Sequence, residues 1–181
     1  MISYNQSKKI LKKAKIKIKD EIIKSDDALN RVLSKNIYSS INYPSRNNAA
    51  LDGYAVDSKE TARIKKGTSK QFKIVGLIAA GNKPFKKKIK KYEVVEIMTG
   101  GVIPNGFDAI IPVEQTYLYP KKNTKKFIFI DRKIKKNDHV RFAGSDFKKK
   151  EIVLKKNTII QANHILAFKT LGIKKIKVKK K

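Results

Sequence analysis

Asn47-Asn48-Ala49-Ala50-Leu51-Asp52-Gly53-Tyr54-Ala55-Val56 is the stretch on which the reading of this chain turns. It passes from two amides into an Asp-Gly pair and then into an apolar run. Asp-Gly between apolar residues is a common hairpin signal, because glycine accepts positive φ at little steric cost. Taken alone, it makes Asp52 a turn-capping residue. A second stretch changes that reading: Ile97-Met98-Thr99-Gly100-Gly101-Val102-Ile103-Pro104-Asn105-Gly106-Phe107-Asp108-Ala109-Ile110-Ile111-Pro112-Val113-Glu114. It runs from a strand through Gly-Gly and Pro-Asn-Gly turns into another strand. A hydroxyl followed by two glycines can present successive backbone N–H groups to an oxyanion, although a plain turn is the commoner use.

Around these stretches, short β-type runs at Tyr54 to Val56, Phe72 to Ile78, Val94 to Met98, Ala109 to Val113 and Phe127 to Ile130 are separated by Gly, Asp and Asn. The middle of the chain therefore reads as mostly β. The lysine clusters at Lys86 to Lys91 and Lys121 to Lys126 read as solvated loops between strands. Towards the N-terminus, Ile10, Leu11 and Ala14 recur at helical spacing, which predicts a short amphipathic helix over Tyr4 to Ala14 resting on a core. Ser25, Asp26 and Asp27 are cap-type residues ahead of Ala28, Leu29, Val32 and Leu33, and predict a second helix ending near Lys35-Asn36, then a strand at Ile37 and Tyr38. Past Arg141 a Gly-Ser-Asp turn, a strand at Ile152 to Leu154, a helix over Ala162 to Leu171 stopped by Gly172, and a strand at Ile176 to Val178 are expected.

The formal net charge is +29, a balance that ordinarily points to nucleic acid or an anionic membrane. Only Arg31, Arg46, Arg63, Arg132 and Arg141 are arginines, whereas base-edge readout and bidentate phosphate clamping favour Arg over Lys. With Ile and Asn also abundant, AT-rich coding bias accounts for the composition as well, and nucleic acid is not expected as the main partner. Cysteine is absent, which excludes disulfides and thiolate metal sites. No apolar stretch is long enough for a signal peptide or a membrane span, so a soluble cytoplasmic protein is expected. His139 and His164 lie in unrelated contexts and read as structural or solvated.

The two stretches together resemble the MoeA/gephyrin family, whose N-terminal region carries a Ser-Ala-Met-Asp-Gly-Tyr-Ala segment and, further on, a Thr-Gly-Ala turn leading through Pro-x-Gly-x-Asp-Ala to an acidic residue. Arg141-Phe142-Ala143-Gly144-Ser145-Asp146 is similar to the family's Arg-x-x-Gly-Glu-Asp, and Asn157 to Gly172 to its linker helix. Ala49, Leu51, Gly101 and Ser145 depart from the family's usual Ser, Met, Ala and Glu. After Val178 the family continues into a further domain with a Thr-Gly-Asp-Glu turn, and here only Lys179 to Lys181 follow.

The resemblance implies an α+β, β-rich fold: an elongated linker domain of residues 1–46 plus 137–181, with a mostly β, barrel-like domain of residues 47–136 inserted. It implies molybdenum cofactor biosynthesis, with insertion of molybdate into adenylated molybdopterin, release of AMP, and use of a divalent cation such as Mg2+. The positions matching family site residues are Asp52, Thr99 and Asp146, with Gly53, Gly100 and Gly101 beside them and the metal ligands unassigned. Asp146, in a loop preceding a strand, reads rather as an Asx-turn residue that holds the linker geometry. A homodimer, or a separately encoded third domain, would complete the pocket for the pterin. Two other readings stand beside this one: a non-catalytic partner of such a domain, and a lysine-rich nucleic-acid-binding β domain, whose mark would be aromatics clustered on one sheet face.

Overall fold

A computed structural model describes residues 2–14, 17–83, 85–119 and 127–180. Along the chain lie α1 (Tyr4–Lys13), β1 (Asp20–Lys24), β2 (Ile37–Tyr38), β3 (Asn48–Ala49), β4 (Gly53–Val56), α2 (Ser58–Thr61), β5 (Lys70–Ile78) and β6 (Glu93–Ile97). They are followed by β7 (Ala109–Pro112), β8 (Tyr117–Tyr119), β9 (Phe127–Ile130), β10 (Val140–Arg141), β11 (Ile152–Leu154), α3 (Ala162–Thr170) and β12 (Lys175–Lys179). The lysine cluster at Lys121 to Lys126 lies outside the described residues.

The chain divides into two compact units, Met1–Ser40 with Lys150–Lys181, and Ile41–Lys149. The divisions expected at 46/47 and 136/137 differ from these. The reason is pairing: β10 pairs with β3, and Tyr43 bridges Phe147, so both flanks of the middle segment belong to the sheet unit.

In the Ile41–Lys149 unit, six strands form one mixed sheet in the order β7-β4-β6-β5-β9-β8. Only β5 and β6 run parallel, joined by the loop that carries Lys86 to Lys91. The apolar runs of β4, β6 and β7 are buried on both faces: their side chains point alternately to two cores. Tyr54, Val56, Phe72, Val94, Ile111, Ile128 and Ile130 form one core, and Ala55, Ile78, Val95, Ile97, Phe107 and Ile110 form the other. Each of these isoleucines, fully buried, stabilises the fold by roughly 1.5–3 kcal/mol. The sheet curls into a half-barrel, assisted by an irregular register between Ile74 and Leu77 in β5.

The other unit is built from the two ends of the chain. β1 pairs antiparallel with β12 and β2 with β11, while Val32 bridges Ile159 and Leu33 bridges Val178. Ala28, Leu33, Ile160, Phe168, Ile176 and Val178 are its core. The helix expected after Ser25 is not there. Ser25–Asp27 form a single 3-10 turn, Asn30 sits at φ 61, and Val32 and Leu33 are extended to pair with strands from the other end of the chain. Pairing across the unit has overridden local helical periodicity. The α1 helix forms with a Ser3–Gln6 capping box, yet Ile10 and Leu11 are 57% and 74% exposed, so it does not rest on a core within the described residues.

Candidate functional site

All three motifs meet on β3, the two-residue strand Asn48–Ala49 inside the first quoted stretch. On one side Asn48 pairs with Arg141 and Ala49 with Val140. On the other side Asn48 bridges Val102, the Ala49 N–H donates to the Gly101 carbonyl at 2.9 Å, and the Gly100 N–H donates to the Ala49 carbonyl at 2.9 Å. The Ile103 N–H donates to the Asn47 carbonyl at 3.0 Å, extending the ribbon. Three separated segments thus become neighbours through a few main-chain bonds.

Asp52 and Thr99 stand at the open end of this ribbon, both exposed. The Thr99 N–H and the Thr99 hydroxyl each donate to Asp52 Oδ1 at 2.6 Å. The Thr99 hydroxyl first, and its backbone N–H second, hold the Asp52 carboxyl below its ordinary value against a smaller opposing effect of burial. Asp52 is therefore an ionised carboxylate with two donors fixed on one oxygen. Its neighbour Gly53 begins β4, where a Cβ would lie 2.1 Å from the Ile111 carbonyl oxygen. Only glycine allows β4 to come so close to β7 and so places Asp52 at the rim of the sheet.

Of the two uses open to Thr99-Gly100-Gly101, an anion cradle or a plain turn, the structure shows the turn. Thr99 N–H is on Asp52, Gly100 N–H on Ala49, and Gly101 N–H on the Met98 carbonyl at 2.8 Å. Each donor is already engaged within the chain. Gly100, at φ +79, closes the turn.

Asp146 forms an ion pair with Arg141, receives the Ser145 hydroxyl at 3.3 Å, and donates its N–H to the Tyr43 carbonyl at 3.0 Å. The Arg141 guanidinium, ahead of other effects, holds its carboxyl below the usual range. These contacts tie down the 142–147 loop, and none of them reaches Asp52 or Thr99. Asp108, within the second quoted stretch, is also structural: its two oxygens accept the Ser58 N–H at 2.8 Å and the Ser58 hydroxyl at 2.9 Å. His164 Nδ1 accepts the Gln161 N–H at 3.0 Å and helps begin α3, while His139 sits at φ 54 with its carbonyl on the Ala50 N–H. No group of three His, Cys, Asp or Glu able to hold a metal ion occurs among the described residues. No helix among them is long and apolar enough to cross a membrane. Tyr54, Phe72 and Phe107, three of the aromatic residues that would have to lie on an open sheet face for base stacking, are buried.

One residue that the sequence reading did not place at the site also holds it together: Asn48 donates from Nδ2 to the Gly100 carbonyl at 3.0 Å. Asn48 lies within the quoted stretch, but a polar residue before a turn carries no pattern that distinguishes it from a loop amide.

A sheet unit formed by the middle of the chain and a smaller unit closed by its two ends define the class, a discontinuous two-unit α+β protein, here with an aspartate held by a threonine at the rim of the sheet. The chain matches a family described as the MoeA N-terminal region (domain I and II) over residues 2–172, and it belongs to that family. It is 32% identical over 178 residues to a molybdopterin molybdenumtransferase of Haemophilus influenzae, covering 98% of this chain and 42% of that protein. A molybdopterin molybdenumtransferase of Staphylococcus epidermidis is 28% identical over 180 residues, with 99% and 42% covered. The crystal structure of a molybdopterin biosynthesis MoeA protein from Pyrococcus horikoshii superposes with a TM-score of 0.84 at 27% identity, covering 99% of this chain and 44% of that one. The chain thus spans about two fifths of the length of the relatives it matches. The family points to molybdenum cofactor biosynthesis.

Proposed function

We propose that this chain carries the aspartate–threonine part of a site at which molybdate is inserted into adenylated molybdopterin with release of AMP. The observation that carries the reading is the pair of Thr99 donors on Asp52 Oδ1. A group held ionised in this way is a poor proton donor near neutral pH, so Asp52 acts as a fixed negative charge and acceptor. It can orient a hydroxyl or ammonium of the substrate through Oδ2, which carries none of the hydrogen bonds described. Cations to hold the substrate's phosphates would come from elsewhere, because the N–H groups of Thr99, Gly100 and Gly101 are engaged.

Magnesium fits this chain poorly by itself. Asp146 is held by Arg141 and, among the described residues, only the Asp52 carboxylate remains at the ribbon's open end, too few oxygen ligands for a divalent ion. A second copy of the chain, or a separately encoded third domain, would supply the remaining groups and the pocket for the pterin.

The test is molybdate-dependent AMP release from adenylated molybdopterin by the chain alone and by the chain fused to a related third domain. Turnover only in the fusion is expected. Release by the isolated chain at the fusion's rate would overturn the shared-site reading, and no release from either would remove the assignment of activity.

A further inference from the structure

We propose that Asn48 is a positioning residue whose carboxamide, by holding the Gly100 carbonyl, keeps the Thr99 turn seated on Asp52. The inference rests on Asp52 being the working carboxylate, but its geometry stands independently of turnover. The main chain of Ala49 fixes two groups of the turn, the Gly100 N–H and the Gly101 carbonyl. The Gly100 carbonyl is left over, in a peptide flanked by two glycines and therefore the part of the turn with most rotational freedom. Asn48 Nδ2 takes it at 3.0 Å, one peptide away from the two donors that Thr99 places on Asp52.

The other end of the same side chain shows that packing alone does not explain the residue. Asn48 Oδ1 is buried and has no hydrogen-bond partner among the described residues, a destabilising arrangement that an apolar side chain would avoid. Strand propensity also disfavours asparagine at this position, between Arg141 and Val102. A residue that is unfavourable both for the strand and for its own oxygen, yet meets a turn carbonyl that no backbone N–H among the described residues takes, is placed for the turn rather than for the fold.

Asn48→Ala and Asn48→Leu in the isolated chain, followed by NMR, test this. The expected result is that the Asp52 carboxyl titrates higher, toward an ordinary carboxylate, and the Thr99 amide exchanges severalfold faster, while the Val95 amide in β6 keeps its protection. The leucine variant, free of the orphan oxygen, is expected to melt no lower than wild type, a combination that a purely structural role would not produce. If Asn48→Ala does not fold, the leucine variant decides. A folded variant with unchanged Asp52 titration and unchanged Thr99 exchange would overturn the proposal. An active Asp52→Asn fusion would instead remove the reading of Asp52 and leave this positioning result standing.

Discussion

Thr99 places both its backbone N–H and its hydroxyl 2.6 Å from a single oxygen of Asp52, joining residues that the sequence separates by a whole crossover of the sheet. The contact is short, exposed and doubly donated, so each partner can be altered without opening a core.

Asp52→Asn keeps the acceptor for Thr99 and the turn preference but removes the charge. In a fusion with a related third domain, kcat/KM should fall about 100-fold or more, the scale of one positioned ionisable group, with the melting temperature little changed. Steady-state rates measured beside melting curves check this. A silent substitution would return Asp52 to the role of a turn cap.

Thr99→Val removes the leading cause of the lowered Asp52 pKa and should cost the fusion less, about tenfold. The stability consequence has a definite sign. A carboxyl held below its ordinary value of 3.8 contributes stability above that pH and loses it as pH falls through the folded-state pKa. Melting temperatures of wild type and variant should therefore differ near neutrality and converge in acid below the folded-state pKa.

Gly53→Ala should be severely destabilising, by more than about 2 kcal/mol, because its Cβ would meet main-chain atoms of Ile111 and Pro112 in the paired strand. Urea unfolding checks it, and a loss below 1 kcal/mol would show that β7 can move aside.

Tyr54→Phe should be neutral or stabilising by about 1 kcal/mol. The Tyr54 hydroxyl is buried without a partner among the described residues, and burial first, with Glu96 second, pushes its pKa up to about 12. A loss of stability in the same assay would reveal a partner for the hydroxyl.

Glu60→Gln should also stabilise, by about 0.5 kcal/mol at neutral pH. Burial is the leading influence on Glu60 and raises its pKa, while Oε2 accepts the Tyr92 N–H at 2.8 Å, a bond the amide oxygen of Gln can replace. For a carboxyl raised in the folded state, the penalty on the charged form applies above the folded pKa and vanishes below the ordinary 4.5. Thermal melts of both proteins from pH 7 to 4 should show the difference closing.

Five strands of the sheet unit were legible because each is a short apolar run bounded by turn residues, and β4, β6, β7 and β9 lie within a residue or so of where the pattern places them, whereas the short β3, β8 and β10 were not expected. β1 and the extended stretch around Val32 and Leu33 were not, since their partners β12 and Ile159 come from the far end of the chain and leave no local periodicity. At the site, the motifs identified Asp52 and Thr99 but not their mutual geometry. The same glycines that suggested free N–H donors provide the tight turn in which those donors are engaged by Ala49 and Met98. Asp146 illustrates the opposite limit, because an acidic residue after Gly-Ser looks alike whether it meets a substrate or Arg141.

The bridge between Tyr43 and Phe147 has a consequence for how the polypeptide emerges from the ribosome. Residues 1–40 find most of their strand partners only beyond residue 150, so they wait while the sheet unit is made. Once that unit has folded, its own two ends are clasped together, with the Tyr43 N–H on the Phe147 carbonyl at 2.8 Å. The long intervening chain then counts as a short connection, and β1 and β2 meet β12 and β11 at the entropic cost of closing a small loop rather than a large one.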